Sequence, residues 1–170
     1  MHVTITVESI HNANAQFWEQ MLAMQLEPIG ETQLRCIGAE HVVGSCNLSG
    51  VWTGLVEVRL SRGLALKATS AMLMQPVEQV QANDTLDAIK EIANMIAGTI
   101  KSALPRPCVM TVPSAEVESG DFCILPRTDD SVTVFFHHAS GELMVRVWEQ
   151  APEQAPEPKS EISELAQLCT

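Results

Sequence analysis

Residues 83–102 constrain the fold of this chain more than any other segment, because their apolar residues recur at helical spacing. At about 100° per residue, these positions fall on one side of a helix and predict a face that packs on a core. The apolar stripe consists of Leu86, Ile89, Ala93, Ile96 and Ile100. A second stripe, centred about 150° away on the same helix and called the polar stripe below, consists of Asp87, Glu91, Asn94 and Gly98.

The polar stripe has two interpretations. It can be a solvated helix face, with Asp87 in the first turn, where a carboxylate suits the helix dipole. Asn94 and Gly98 favour a functional surface instead. Asn is a mediocre residue in a helix interior, and Gly weakens a helix by about 1 kcal/mol relative to Ala. Gly98 is better explained if another backbone approaches it, and no lysine follows Glu91 by four residues to form a helix ion pair.

Length and composition are sufficient for one packed domain, with 170 residues and a hydrophobic content of 46%. The formal net charge of −11 argues against binding to nucleic acid, which requires a basic face, and against docking on anionic lipid. After residue 150 the chain becomes rich in Pro and Glu, which predicts an extended linker. We therefore expect a domain over 1–150 and a tail over 151–170.

Hydrophobic periodicity and turn residues predict the order helix, strands, helix, helix, strands. Helices are predicted over 8–24, over 62–74 after an N-cap at Ser61, and over 84–103 after a cap at Asn83 or Asp84. Strands are predicted between 33 and 60 and near 108–117, 120–126, 131–138 and 142–149.

The N-terminal residues and the cysteines indicate a cytoplasmic protein. Residues 1–7 lack the basic and long apolar regions of a secretory signal, and no apolar run approaches the roughly 18 residues of a membrane span. The five cysteines are odd in number and contain no C-x-x-C pair. This pattern favours reduced, mostly buried thiols over a disulfide framework.

Motifs for metal, nucleotide or nucleophilic chemistry are not found in the sequence. The histidines are scattered, and the adjacent His137 and His138 would point to opposite faces of a strand, so no metal site is predicted. There is no G-x-S-x-G elbow, no Walker A loop and no G-x-G-x-x-G fingerprint. The polar stripe is therefore the main candidate site.

The pattern Asp87-x3-Glu91-x2-Asn94, continued to Gly98, resembles the signature helix of the CheC/CheX phosphatases, which dephosphorylate the chemotaxis response regulator CheY. The segments 54–61, 64–73 and 112–114 are similar to the flanking segments of the CheX branch, and the similarity extends to about residue 150. CheC-type members carry two signature helices. Here the first predicted helix has no acid followed three residues later by Asn, which is the single-site pattern of CheX.

The resemblance implies an α/β fold of the α+β type, with long helices on one side of a mostly antiparallel sheet, and often a homodimer. It implies a phosphatase acting on a phosphorylated CheY-like receiver domain, with Asn94 orienting the attacking water and Glu91 pairing with the receiver's lysine. Asp87 would extend the acidic contact, and Gly98 would let the partner come close. No cofactor of its own is implied, because Mg²⁺ is expected in the partner receiver domain.

Two other functional interpretations stay open. A non-catalytic relative would dock on a receiver or a flagellar-switch component without hydrolysing anything, and it would need the acidic helix but not Asn94. The third interpretation is an unrelated cytoplasmic α/β domain.

Two further expectations concern assembly and the tail. Apolar residues on both sides of the last strand, with Met144 and Trp148 opposite Val145 and Val147, favour a homodimer through a sheet edge, since such strands need cover on both faces or a partner. The tail after about residue 151, which contains Pro152, is expected to be dispensable for folding.

Overall fold

A computed structural model describes residues 5–30, 35–124, 127–128 and 131–150 of the chain. Its helices are α1 Val7–Leu22, α2 Arg62–Leu73 and α3 Ala82–Ser102. Its strands are β1 Glu27–Ile29, β2 Arg35–Ile37, β3 Glu40–Gly50, β4 Gly54–Ser61, β5 Cys108–Met110, β6 Ser114–Ser119, β7 Phe122–Ile124, β8 Arg127–Thr128, β9 Ser131–His138 and β10 Gly141–Glu149. All described strand pairs are antiparallel, so the predicted α+β class is confirmed.

The main sheet has eight strands, in the order β1-β9-β10-β4-β3-β5, with β6 also pairing with β3 and β8 also pairing with β9. The three helices pack on one face of this sheet. Alternate residues such as Val56, Val58 and Leu60 on β4 point toward the helices and are fully buried, as the two-residue period of a strand requires. The predicted apolar stripe of α3 is confirmed, because Ile89, Ala93 and Ile96 on its core side are also fully buried.

A separate two-stranded sheet, β2 with β7, packs over part of the opposite face. Its residues Ile37 and Phe122 form a small apolar cluster with Phe135 and Met144 of the main sheet. The guanidinium of Arg59 lies 3.8 Å from the centre of the Phe122 ring, in cation–π geometry. The main sheet is therefore covered by helices on one side and by β2 and β7 on part of the other.

The helix boundaries lie within two residues of the predicted ones. Helix α1 ends at Leu22 because Ala23 takes a left-handed conformation, with φ of 51°. Helix α3 begins two residues earlier than predicted, and its N-cap is Gln81 and not Asn83 or Asp84. The carboxylate of Asp84, three residues into the helix, accepts a hydrogen bond of 3.0 Å from the Gln81 backbone N–H. Ser61 precedes α2 as predicted, but its hydroxyl accepts a hydrogen bond of 3.0 Å from the Glu142 N–H instead of capping the helix.

The cysteine prediction was wrong for one pair. Cys36 and Cys123 are disulfide-bonded directly across β2 and β7, at a sequence separation of 87 residues. Cys46 and Cys108 are buried free thiols, as predicted, while Cys169 lies outside the described residues. An odd count of cysteines cannot show which strands pair, and this bond depends on a long-range strand pairing.

Strand β10 is not at a sheet edge, so of the two explanations for its apolar faces, cover on both faces is the one that applies. It lies between β4 and β9 and is hydrogen-bonded on both sides. Its two apolar faces are explained by cover within the chain, since Val145 and Val147 face the helices and Met144 packs beneath Ile37 and Phe122. The predicted tail over 151–170 lies outside the described residues. No described helix is long and apolar enough to cross a membrane.

Candidate functional site

The position of α3 on the sheet depends on Gly44 of β3. A Cβ atom on Gly44 would lie 2.8 Å from Ile89 Cγ2, 2.9 Å from the Ile89 carbonyl oxygen and 3.1 Å from Ala93 Cβ. Glycine in a strand interior often marks such a close backbone approach. Helix α3 can therefore lie directly on β3, with its opposite face turned away from the sheet.

The polar stripe lies on this outer face of α3, as predicted. Asp87 and Glu91 are exposed, whereas Asn94 and Gly98 are half-buried. The spacing of three and four residues keeps all four on one side of a helix that rises about 1.5 Å per residue. The fold thus presents two acids, an amide and a glycine in one row on a helix whose other side packs in the core.

Asp87 already has a partner within the chain. Its Oδ1 atom lies 3.0 Å from Lys90 Nζ, in an ion pair whose side chains are 77% and 40% exposed. Pairs of this kind three residues apart on an exposed helix contribute only a few tenths of a kcal/mol. Asp87 therefore has a local role as part of a helix ion pair, and its contact with a partner stays a prediction.

Glu91 and Asn94 differ from Asp87 in this respect. Within the described ranges, neither the Glu91 carboxylate nor the Asn94 amide has a hydrogen-bond or ion-pair partner. A carboxylate accepts hydrogen bonds, and an amide both donates and accepts them. The two side chains lie one helical turn apart, so together they offer a negative charge and an uncharged orienting group to a molecule that contacts α3.

Gly98 borders an open depression of about 710 Å³ at the C-terminal end of α3. A Cβ atom on Gly98 would contact only Met110 Sδ, at 4.0 Å, which is ordinary van der Waals distance. No described backbone approaches Gly98, so the glycine has no packing reason within the described chain. The depression is lined by Gly98, Lys101, Ser102, Arg106, Pro107, Cys108 and Met110.

Lys101 and Arg106 were not predicted from the sequence to lie beside the polar stripe. They are cations in a chain that has only 10 lysines and arginines against 21 acids, and both line the depression beside Gly98. Lys101 follows Gly98 by three residues, so the same helical spacing that defines the polar stripe could have identified it. Arg106 lies after the helix and had no such signal. The face is therefore acidic at one end and basic at the other.

The described residues near α3 do not supply an activated nucleophile. Burial raises the pKa of the Cys46 thiol, although hydrogen bonds with Thr111 oppose this effect, and a protonated buried thiol is a poor nucleophile. No group of three or more His, Cys, Asp or Glu side chains in the described part of the chain could hold a metal ion. The exposed side chains on this face offer hydrogen bonding and charge.

A protein-family model matches the part of the chain that contains α3. The family model described as "Chemotaxis phosphatase CheX" matches residues 42–137, which include all of α3 and its polar stripe. The chain belongs to the CheX family. No curated protein matches the chain in sequence.

Solved structures of CheX proteins share the fold. CheX from Desulfovibrio desulfuricans superposes with a TM-score of 0.65 at 22% identity, covering 84% of this chain and 97% of that one. CheX in a CheX–CheY–BeF3–Mg²⁺ complex from Borrelia burgdorferi gives a TM-score of 0.62 at 18% identity, covering 85% and 97%. FliY from Thermotoga maritima is also similar, with a TM-score of 0.56 at 17% identity and coverage of 86% and 92%. At these identities the similarity shows a shared fold.

Proposed function

We propose that this CheX family member is a phosphatase that removes the aspartyl phosphate of a CheY-like receiver domain, with Asn94 orienting the attacking water. The observation that carries the proposal is the pair Glu91 and Asn94, which are accessible, adjacent on the outer face of α3 and without a partner among the described residues. The family match and the CheX–CheY complex with a similar fold support this choice of substrate.

The reaction requires little chemistry from this chain. A water oxygen attacks phosphorus in line with the bond to the aspartate, that bond breaks, and the products are inorganic phosphate and the receiver's free carboxylate. Catalysis of such a transfer depends mainly on positioning and charge stabilisation. The Asn94 amide would hold the water through a hydrogen bond, without a change of its own charge. Mg²⁺ would belong to the receiver, so this chain would supply no cofactor.

Glu91 would act before the chemical step. Its exposed carboxylate would pair with the lysine expected in the receiver's site, which would seat α3 so that Asn94 reaches the phosphoryl group. Gly98 would admit the receiver's backbone close to α3, while Lys101 and Arg106 would contact acidic groups of the same partner. The bipolar charge of this face would thereby fix the orientation of the receiver along the helix.

The direct test is a panel of phosphorylated receiver domains incubated with the full chain in buffer with Mg²⁺. The rate of phosphate loss is followed by phosphate release and by loss of the phosphorylated band. At least one receiver should lose phosphate faster than its spontaneous rate, in proportion to the concentration of the chain. If no receiver of a broad panel is dephosphorylated although some bind, the enzymatic proposal is wrong.

A non-catalytic interaction protein of the same fold is the second candidate. The fold is also similar to that of FliY from Thermotoga maritima, so the fold alone does not distinguish the two candidates. Such a protein would bind a receiver or a flagellar-switch component through the same face of α3. The two candidates differ in their dependence on Asn94. In the enzyme, substitution of Asn94 would remove hydrolysis and leave binding, whereas the interaction protein would have no hydrolytic activity to lose.

We also propose that the chain forms a homodimer through the β6 edge of the sheet. Among the described residues, β6 pairs only with β3, so its other edge is unpaired there. Val117 on β6 is 61% exposed, and Val109 and Val112, which precede β6 in the chain, are 62% and 90% exposed. An exposed edge strand with apolar side chains readily pairs with a second copy of itself. The assembly would act in the cytoplasm, where the proposed partner is expected.

A further inference from the structure

The two-stranded sheet of β2 and β7 continues the ladder of β3 and β6 past a bend. The last pair of β3 and β6 is Glu40 with Ser119, and beyond it, in the same register, Ile37 pairs with Phe122. Gly120 lies at the bend with φ of 104°, a conformation that favours glycine. The strands β2 and β7, called the β2–β7 ribbon below, therefore fold back together over the face of the main sheet opposite the helices, the helix-free face.

The two sides of the β2–β7 ribbon have different surroundings, because successive residues of a strand point to opposite faces. Ile37 and Phe122 point to the main sheet, where Ile37 is fully buried against Met144. Cys36 and Cys123 form the next pair of the ladder and point the other way, and both residues are exposed. Their disulfide bond therefore lies on the outer side of the ribbon, where molecules in solution can reach it.

Few interactions other than this bond hold the β2–β7 ribbon in place. Its ladder has three residue pairs, and a two-stranded sheet of this size is at best marginally stable alone. Its contacts with the main sheet are the small apolar cluster described above and the stacking of Phe122 on Arg59. At the bend, a Cβ atom on Gly38 or Gly120 would meet no described atom within 4 Å. The disulfide is thus the strongest link between the two strands of the ribbon.

The core beneath the helices does not depend on oxidised cysteines. Cys46 and Cys108 belong to this core, and both are buried free thiols. Proteins open locally where few apolar contacts hold a segment, while the main core stays folded. Breaking the bond of Cys36 with Cys123 should therefore loosen the β2–β7 ribbon and leave the main sheet and its helices intact.

We infer that the bond between Cys36 and Cys123 is a redox-active disulfide, which dithiols reduce in the folded protein and whose reduction releases the β2–β7 ribbon from the main sheet. Exposed disulfides are typically the labile or regulatory ones. Release would uncover the apolar side chains of Phe135 and Met144, which are now buried.

The reduction is a thiol–disulfide exchange in two steps. A thiolate of the dithiol attacks one sulfur of the bond, the S–S bond breaks, and a mixed disulfide forms. The second thiol of the dithiol then displaces the remaining cysteine sulfur. The protein gains two electrons and two protons as two cysteine thiols, and the dithiol is oxidised to its own disulfide.

The inference does not depend on the proposed phosphatase activity, because the β2–β7 ribbon lies on the face of the main sheet opposite α3. The alternative is a structural disulfide, which would be reduced only when the whole protein unfolds. The two possibilities differ in which cysteines become reactive together.

The first test measures reduction of the folded full chain. The oxidised chain is treated with dithiothreitol in native buffer, free thiols are blocked with iodoacetamide at intervals, and each cysteine is followed by peptide mapping. Cys36 and Cys123 should be labelled at a rate proportional to the dithiothreitol concentration, while the buried thiols of Cys46 and Cys108 stay unlabelled. If Cys36 and Cys123 are labelled no faster than this buried pair, reduction requires global unfolding and the inference is overturned.

The second test measures amide hydrogen exchange in the oxidised and the reduced chain. Amides of β2 and β7 should exchange about tenfold faster or more after reduction, whereas those of β4 and β10 should change by less than about twofold. Removal of dithiothreitol and addition of oxidised glutathione should restore the slow exchange. Unchanged exchange in the β2–β7 ribbon, or an equal increase in β4 and β10, would overturn the inference.

A variant pair checks that the effect belongs to this disulfide. The double variant Cys36→Ser/Cys123→Ser should show the fast exchange of the reduced ribbon without any reductant, and it should not respond to dithiothreitol. Ala39→Ser, at an exposed position beside β2, keeps the disulfide and should behave as the wild type. If the double variant keeps the slow exchange of the oxidised wild type, the disulfide does not hold the ribbon and the inference is wrong.

Discussion

Arg59 on β4 and Glu118 on β6 pair across the intervening strand β3. Arg59 Nη1 donates to Glu118 Oε2, and Arg59 Nη2 lies 3.4 Å from Glu118 Oε1. Arg59 is only 6% exposed, and its Nε also donates to Glu57 at 2.9 Å. The hydrogen bond from Arg59 holds the pKa of Glu118 below its ordinary value of 4.5. A nearly buried cation on the helix-free face is thus neutralised by carboxylates from two strands.

This pair predicts a loss of stability in acid. A carboxylate whose pKa is lower in the folded state contributes stability that is present above its unfolded pKa, near 4.5, and is lost as pH falls through the lower folded value. The thermal midpoint should therefore fall below about pH 4.5. Glu118→Gln should lower the midpoint at neutral pH and flatten this acid dependence. Glu116→Gln, an exposed glutamate two residues earlier on β6, should do neither, and equal curves for the two variants would contradict the assignment.

Asn94→Ala should separate chemistry from binding. If Asn94 orients water, the substitution removes an interaction made mainly in the transition state, so the hydrolysis rate should fall by about a hundredfold or more. Affinity for a beryllofluoride-loaded receiver should change little, as measured by calorimetry. Asn83→Ala, at an exposed asparagine in the first turn of α3, is the control and should keep full activity. Full activity of Asn94→Ala would refute the mechanism while leaving the family membership intact.

Glu91→Ala should weaken docking as well as turnover, because a carboxylate–lysine contact forms before the chemical step. The dissociation constant of the wild type should rise with salt concentration, and this salt dependence should be smaller in the variant. Glu78→Ala, an exposed glutamate in the turn between α2 and α3, provides the matched loss of one negative charge. If Glu91→Ala binds the receiver normally but hydrolyses its phosphate slowly, Glu91 acts in the chemical step and not in docking.

Gly98→Ala should stabilise the protein and impair binding at the same time. No described atom crowds this position, so the higher helix propensity of alanine should raise the free energy of unfolding by about 0.5–1 kcal/mol. Affinity for the receiver should fall by about tenfold if a partner backbone packs against Gly98. Urea unfolding and calorimetry measure the two effects. Thr99→Ala, at the exposed neighbouring position, controls for helix propensity and should leave affinity unchanged.

Val117→Lys should convert a dimer into a monomer. A lysine on an edge strand opposes pairing with another edge, and Val117 lies on β6 with 61% exposure. Light scattering at tens of micromolar, an ample concentration for a stable interface, should give a dimer for the wild type and a monomer for the variant. Met74→Lys changes a 93% exposed methionine after α2 and should stay dimeric. A monomeric wild type would refute the homodimer.

The sequence was most informative where structure depends on local periodicity. The apolar stripe of α3 is a pattern over 20 adjacent positions, and the helix boundaries followed to within two residues. Long-range pairing carries no such signal. The place of β10 in the centre of the sheet, the addition of β1 at its edge and the bond between Cys36 and Cys123 all depend on which distant strands meet.

In the candidate site, too, the features set by local helical spacing were predictable and those set by the rest of the fold were not. The exposure of Glu91 follows from the helical period, and Lys101 could have been found by extending that period by one step. Arg106 could not, because it reaches the depression through the irregular segment after α3. The ion pair of Asp87 with Lys90 is likewise a local feature, since residues three apart are neighbours on a helix surface.

The close contact at Gly44 has a consequence for the opposite side of α3. With hydrogen in place of a methyl group, the strand sets how far the helix stands above the sheet, and hence how far Asn94 lies from the sheet. Even alanine at position 44 would push the helix outward at Ile89 and Ala93, and displacements of about 1 Å at a reacting centre can cost a hundredfold in rate. The position of a side chain on the outer face of α3 is thus set by the absence of a Cβ atom in the strand beneath the helix.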